Sequence, residues 1–416
     1  MTMNSSAIDT PAWLTVVGMG ADGWRGLTDD ARHALTTAAL IFGGERHLTL
    51  LAEHLPARPG QQRRAWLCPF QLAVEKLLTY RGQPVCVLAS GDPLWFGVAG
   101  TLLNHLPLHE LRIVPAPSAL TLAAARMGWA LQTVTVIAAH GRPLTKVNLH
   151  LAAGARLLVL AADAQTAAQL AAQVTEREFG ASRLTVLEEL GGSAECRVDG
   201  IAATWAQPPG AALNVIALDC VADATALRLS RRAGLPDAAF QHDGQLTKRD
   251  VRAVTLARLA PQPGQLLWDV GAGCGSIGIE WLRAADNCRA IAIEADAARL
   301  ALIAANAQAL GVPELQIVAG RAPEALIDLT APDAIFIGGG LTTAGVFDSC
   351  WAALKVGGCL IANAVTLQTE AELVRLHGEY GGELTRLSIA HAAPLGKFTG
   401  WRSAMPITLY EVWKSA

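Results

Sequence analysis

Residues 266–276 constrain this chain more than any other stretch. Leu266, Leu267, Trp268, Asp269 and Val270 form a short apolar run holding one acid, and Gly271, Gly273 and Gly275 follow at every second position. Ile277, Gly278, Ile279, Trp281 and Leu282 then suit a helix, with Glu280 and Arg283 polar. Ile291, Ala292 and Ile293 make a second apolar run that ends in Glu294. The order is strand, glycine-rich turn, helix, strand, acid. Glycines in such a turn let the backbone approach a ligand closely, and the N–H groups of the loop and helix N-terminus favour its negative end. An acid closing the second strand can accept hydrogen bonds from both hydroxyls of a ribose. Glycines placed only for tight strand–helix packing would give the same turn with no ligand.

Two ligand classes use that layout. A dinucleotide site wants G-x-G-x-x-G. Here the sixth position is Ser276 and the glycines fall as G-x-G-x-G. That spacing, with Asp269 just before the loop, resembles the first motif of the class I S-adenosylmethionine-dependent methyltransferases. The resemblance implies cofactor contacts from Asp269, Gly271, Ala272, Gly273, Cys274, Gly275, Ser276 and Glu294. Asp269 would order the loop or meet the ammonium group.

The chain has 416 residues, which favours two or more domains. With 52% hydrophobic and 17% charged residues it can bury large cores and is not a disordered chain. A formal net charge of −3 offers no general attraction for nucleic acid, so an anionic substrate must be met by local basic residues. The eight cysteines, Cys68 among them, form no C-x-x-C and sit at no ligand spacing from a histidine. Most of them are expected to be small buried hydrophobes in a reducing cytoplasm, with no structural zinc. Residues 1–11 carry neither the basic start nor the apolar core of a signal peptide, and no uncharged stretch is long enough to span a bilayer.

Along the chain, strands are expected near 14–17, 39–42, 84–89 and 111–114, alternating with helices, which implies a largely parallel sheet. A second lobe follows, with strands near 134–138, 156–160, 184–187 and 213–218. Residues 223–242 break the pattern and are read as a linker. Thr247 is expected to cap a new helix, with Asp250 at its third position. The remaining strands, near 266–270, 290–294, 315–319, 333–337, 358–362, 384–390 and 406–412, describe seven strands closed by an antiparallel hairpin.

In the first half, Val17, Gly18, Met19 and Gly20 alone are a weak signal. Ser90, Gly91, Asp92 and Pro93 with Phe96 and Gly97 are sharper. Pro117 and Ser118, His140 to Arg142, and Glu188 to Gly191 complete the set. Together they resemble the class III tetrapyrrole methyltransferases of corrin and sirohaem synthesis, over about residues 12–220. That family folds as two α/β lobes with S-adenosylmethionine between them. The resemblance implies that Gly18, Gly20, Gly91, Asp92, Pro93, Ser118, Thr121, Leu190 and Leu213 lie near the cofactor. His140 is a core histidine, a support for the following turn, or a proton carrier. Arg142 suits a substrate carboxylate or is a solvated turn residue.

In the second half, Lys248 to Val254, Asp333 to Gly340, Asn363 to Thr366, Pro394 to Gly396, and Trp401 with Arg402 accompany the glycine loop. This set, over about residues 235–414, is similar to the precorrin-6Y C15-methyltransferase branch of class I enzymes. Thr247, Ala322 and Gly338 join the implied cofactor contacts. Arg321 stands where many such enzymes carry an acid for the adenine amino group, so it is expected to point away, because an arginine has no acceptor. Lys248, Arg252, Lys397 and Arg402 are candidates for gripping substrate carboxylates, and Trp401 for an apolar wall beside one of them.

A class III half fused to such a class I half resembles the bifunctional precorrin-6Y C5,15-methyltransferase (decarboxylating) family. The expected architecture is a class III domain at 12–222, the linker at 223–242 and a class I Rossmann-like domain at 243–416. The resemblance implies one S-adenosylmethionine site per domain. It further implies methylation of precorrin-6B at C5 and C15 with loss of CO2 from the C12 acetate, giving precorrin-8, by a cytoplasmic homo-oligomer with no nucleic-acid or membrane partner. An alternative gives the class I half a nucleic-acid acceptor and makes the first half a non-catalytic tetrapyrrole-binding module. The negative charge and the missing Asn/Asp-Pro-Pro-aromatic motif count against it.

Overall fold

The computed structural model describes residues 12–67 and 69–415. Residues 1–11 and Cys68, for which the sequence carries expectations, lie outside them. The chain divides into two compact units, one of residues up to Arg142 with Ala153–Asp223, the other of Pro143–Ala152 with Ala224 onward.

The first unit has two sheets. Strands β1 (Leu14–Met19), β2 (Leu40–Gly43), β3 (Gln62–Ala65), β4 (Val85–Ser90) and β5 (Leu111–Val114) form an all-parallel sheet of order β3-β2-β4-β1-β5. The central strands are apolar on both faces, as a sheet covered by helices on both sides requires. β3 was not expected, because Gln62, Arg63 and Arg64 carry no apolar alternation; it is an edge strand held by its ladder to β2. Strands β6 (Thr135–Ala138), β7 (Arg156–Leu160), β8 (Arg183–Glu188), β9 (Cys196–Ile201) and β10 (Asn214–Asp219) form a mixed sheet of order β6-β7-β10-β8-β9. Here too the unexpected strand, β9, is a solvent-facing edge.

The second unit has one seven-stranded sheet. It contains β11 (Leu266–Val270), β12 (Arg289–Glu294), β13 (Gln316–Ala319), β14 (Ala334–Ile337), β15 (Cys359–Ala364), β16 (Glu383–Leu387) and, after an excursion, β19 (Ile407–Trp413). The order is β13-β12-β11-β14-β15-β19-β16, parallel except for β19, which runs against both β15 and β16. This is the class I Rossmann-like arrangement. The excursion is a separate hairpin of β17 (Ala390–Leu395) and β18 (Phe398–Ser403), which lies between the two expected closing strands and is not among the expected elements. Pro394 is tolerated there because a two-stranded ribbon is all edge.

The stretch read as a linker is packed. Leu235 and Phe240 are buried in the core of the second unit with Leu256, Ile277 and Trp281. Residues 143–152 belong to the same unit: Thr145 donates to Gln308 at 2.7 Å and Lys146 pairs with Glu314 at 3.1 Å.

Candidate active site

In the second unit the parallel strands reverse order between β11 and β14, and ligands of open α/β sheets bind outside such a switch point. A cavity of about 1260 Å³ opens there. Ordinary small-ligand pockets hold roughly 300–1000 Å³, so this one has room for a nucleoside cofactor and part of a second molecule. The loop at its floor is left-handed at Gly271, Gly273 and Gly275, with φ of +69°, +60° and +80°. A side chain at Gly271 would meet the Gly339 backbone nitrogen at 2.9 Å, so only glycine lets the two loops close on each other.

Glu294, at the end of β12, is buried at the cavity wall. Its Oε2 accepts the Gly273 N–H at 2.8 Å, and its Oε1 accepts those of Ala295 and Asp296 at 2.9 and 3.0 Å. Those bonds fix the carboxylate against the glycine loop and leave acceptor capacity for a diol. Asp269 lies below the loop, with its Oδ2 accepting the Gly278 N–H at 2.9 Å. Its Oδ1 is buried without a partner. A glycine cradle, a fixed carboxylate and a helix N-terminus beside a large cavity fit S-adenosylmethionine, and these residues would hold it.

Burial, with a smaller push from Glu294, raises the Asp269 pKa to about 7, opposed by the Gly278 N–H. The folded chain then keeps a proton that the unfolded chain releases near the ordinary carboxylate value. Between the two values the folded state binds more protons, so this group's contribution to stability falls as pH rises and is lost above about 7. Asp269→Asn removes the titration and retains an oxygen for Gly278. The melting temperature of the variant minus that of the native chain is expected to rise from pH 4.5 to 8 in thermal melts; parallel curves would contradict it.

Thr247, Lys248, Gly271, Ala272, Gly273, Glu294, Ala322 and Gly338 all line this one cavity. Arg321 is also among the lining residues. Other expectations are corrected. Cys274 and Ser276 are buried under the loop, and Gly275 packs on Ile303, so none of the three lines the cavity. The helix Arg249–Leu259 starts after Lys248 at the N-cap, and the Thr247 hydroxyl caps nothing. Arg252 is wholly buried and pairs with Glu280 at 2.6 Å and Asp237 at 3.2 Å, so it grips the fold and no substrate. Trp401 is 80% exposed on β18 and walls nothing. Arg402 is likewise exposed on the hairpin and Lys397 at its turn, outside the cavity lining. No sequence motif points to His391, which is also among the lining residues, with its Nε2 3.4 Å from the Asp250 carboxylate.

In the first unit the ends of β1, β4 and β5 converge. Gly18 is pressed against the Gly91 carbonyl and the Ala116 nitrogen, where a Cβ would come within 2.8 Å of the latter. Gly91 has φ +56°, donates to the Met19 carbonyl at 3.0 Å, and would meet the Ser118 Cα at 2.9 Å if it carried a side chain. Asp92 turns its carboxylate onto the Leu94 N–H at 2.8 Å, so it shapes the loop. Ser118 caps the helix Ala119–Met127 through the Thr121 N–H. Gly20 closes the turn after β1 by accepting from the Gly23 N–H at 3.1 Å. Beyond Pro93, Leu94, Trp95 and Phe96 are exposed, and Arg142 lies 5.4 Å over the Phe96 ring. His140 is exposed, which removes its core reading. On the second lobe Leu190 is buried and Leu213 exposed, joined where the Glu189 N–H donates to the Leu213 carbonyl. No local motif points to His47: its Nε2 is 3.2 Å from the Ser90 hydroxyl, just before the Gly91 loop. Burial, aided by Arg46, pushes its pKa down to about 4 and keeps the ring neutral at physiological pH.

Among the described residues no group of His, Cys, Asp and Glu could hold a metal ion, and no helix is long and apolar enough to cross a membrane.

A family model described as a precorrin methyltransferase domain matches residues 238–414, and one described as tetrapyrrole (corrin/porphyrin) methylases matches residues 13–202. A Sinorhizobium protein named precorrin-6Y C(5,15)-methyltransferase (decarboxylating) is 48% identical over 408 residues, 98% of each chain. Two shorter relatives each match 42% of this chain. One, from Pyrobaculum calidifontis and named "Probable cobalt-precorrin-6B C(15)-methyltransferase (decarboxylating)", is 33% identical over 92% of its own length. The other, a cobalt-precorrin-7 C(5)-methyltransferase of Salmonella typhimurium, is 32% identical over 84% of its length. With two unlike glycine cradles in one chain and near-complete coverage of a full-length relative, the chain belongs to the family of precorrin-6Y C(5,15)-methyltransferases (decarboxylating), which are S-adenosylmethionine-dependent enzymes.

Proposed function

We propose that the first unit methylates the corrin precursor at C5 and that the second methylates it at C15 and releases CO2 from the C12 acetate, taking precorrin-6B to precorrin-8. The observation that carries this reading is the pair of separate cradles, at Gly91 and at Gly271, built on unrelated sheets. Each unit holds one S-adenosylmethionine. The single-activity relatives named for C5 and for C15, each matching less than half of the chain, support the same division.

Bound S-adenosylmethionine supplies a methyl group already activated on its sulfonium. The protein's part is therefore alignment and exclusion of water. In the second unit Glu294 would hold the ribose, and the Gly271–Gly273 backbone, kept side-chain-free at both glycines, would let the methionine end approach closely. Val270, Ile277, Phe336 and Met405 give the cavity apolar walls, which disfavour a carboxylate anion relative to neutral CO2. Lys248, Arg321 and His391, all lining the cavity, meet the remaining carboxylates. In the first unit the Gly91 loop carries the cofactor through backbone groups, and Arg142 over Phe96 presents a carboxylate fork.

The hairpin leaves the paired residues Leu395 and Phe398 exposed on one face, a surface that a second copy of the chain covers in a homo-oligomer. The net charge of −3 offers nucleic acid no general attraction, which supports a small-molecule acceptor.

The test uses the full chain. Titration calorimetry is expected to give two equivalents of S-adenosylmethionine per chain. Incubation with precorrin-6B and carbon-13-methyl cofactor is expected to add labelled carbon at C5 and C15 and to release CO2. One equivalent of cofactor, or a single labelled position, would refute the two-site reading.

A further inference from the structure

The register of the second sheet sets a row of residues across its carboxyl edge. Val270 pairs with Ile293 on one side and with Ile337 on the other, and Ile337 pairs with Ala362. One residue further along each strand, Glu294, Gly271, Gly338 and Asn363 stand level, and all four line the cavity. Strands about 4.8 Å apart put Glu294 and Asn363 roughly 14 Å from each other, with the glycine loop between them. Glu294 marks the nucleoside end. Asn363 therefore stands at the opposite end, where the methyl acceptor must lie.

The Asn363 side chain is oriented. Its Nδ2 donates to the Thr255 hydroxyl at 3.0 Å, and Thr255 is wholly buried on the helix Arg249–Leu259. Its amide oxygen is buried with no partner. A buried acceptor left unmet is costly, and an apolar residue of the same shape would avoid that cost. The rest of the wall around it includes Val365, Ile389 and Ile407. An amide held by its nitrogen, with its oxygen unmatched, is suited to a ligand that brings a donor.

We propose that Asn363, positioned by Thr255, accepts a hydrogen bond from a ring N–H of the tetrapyrrole in the second unit. This rests on the assignment of C15 methylation to that unit. When a meso carbon takes a methyl group, electron density leaves the conjugated ring system and its N–H groups become more acidic. An acceptor on such an N–H strengthens as charge develops, so it favours the transition state over the bound substrate. No proton needs to be transferred to the amide; the bond only shortens.

The experiment uses the full chain with S-adenosylmethionine and precorrin-6B. Asn363→Leu is expected to lower kcat for C15 methylation by roughly ten- to a hundredfold, the range for a hydrogen bond to a charged group. KM for the macrocycle, cofactor affinity at the second site and C5 methylation are expected to stay within about twofold, and the melting temperature not to fall. Thr255→Val should lower kcat in the same way, and Thr255→Ser should restore it. C15 turnover unaffected by Asn363→Leu, or a loss explained by weaker cofactor binding, overturns the proposal. Native chain that releases no CO2 overturns the underlying assignment and this proposal with it, whereas loss of the Asn363 dependence alone overturns only the latter.

Discussion

Replacing Arg252 with methionine is expected to destabilise the second unit by about 3–5 kcal/mol, the cost of breaking a buried ion pair from one side. The guanidinium is wholly buried. Its Nε donates to Glu280 at 2.6 Å, its Nη2 to the Leu235 carbonyl at 2.5 Å, and its Nη1 to the Thr247 carbonyl, while Asp237 lies 3.2 Å away and the Phe240 ring 4.8 Å below. Glu280 in turn accepts the N–H groups of Gly234 and Leu235. One side chain thus ties the 234–240 segment to two helices. The melting transition of the second unit should drop by roughly 10 °C. Arg252→Lys should recover little, because an ammonium cannot replace the planar fork. If Arg252 instead held substrate, the variant would melt like the native chain and show only a raised KM for the macrocycle.

Alanine at the two cradle glycines is expected to separate the two chemistries. Gly271→Ala forces an L-residue into left-handed backbone, at about 1–2 kcal/mol, and drives its Cβ to 2.9 Å from the Gly339 backbone, which is not free to yield. Displacing the loop by even about 1 Å costs on the order of a hundredfold in an aligned displacement. C15 methylation and CO2 release should therefore fall at least that far while C5 methylation persists. Gly91→Ala, with φ +56° and the Ser118 Cα at 2.9 Å, should give the reverse pattern. Each variant should bind one equivalent of cofactor. Loss of both methylations in either variant, with the fold intact by circular dichroism, would rule out independent sites.

The readable parts of the fold were those with a strong local pattern. The buried strands β1, β4, β11, β12 and β14 have near-continuous apolar runs, and their glycine turns stand out. The strands missed, β3 and β9, lie at sheet edges, where pairing with a neighbour substitutes for an apolar face. The β17–β18 hairpin was passed over because Pro394 interrupts the pattern. The candidate site divides the same way. Gly271, Gly273, Glu294 and Lys248 lie near one another along the chain or on adjacent strands. His47 beside Ser90, Asn363 beside Thr255, and His391 beside Asp250 meet only through folding, 43, 108 and 141 positions apart, and no local motif announces them.

Residues 266–294 and 90–97 are enough to specify two α/β methyltransferase halves and where each glycine cradle lies. Those features follow from backbone requirements, since left-handed φ and close backbone approach admit only glycine. The tertiary structure decided which charged and aromatic residues face the cavity. It turned Arg252 inward to Glu280, left Trp401 on an exposed hairpin, packed the expected linker into a core, and brought Arg321 to the cavity wall. The reason is physical: a side chain's chemistry is written in its residue type, but its neighbours are set by burial and long-range packing.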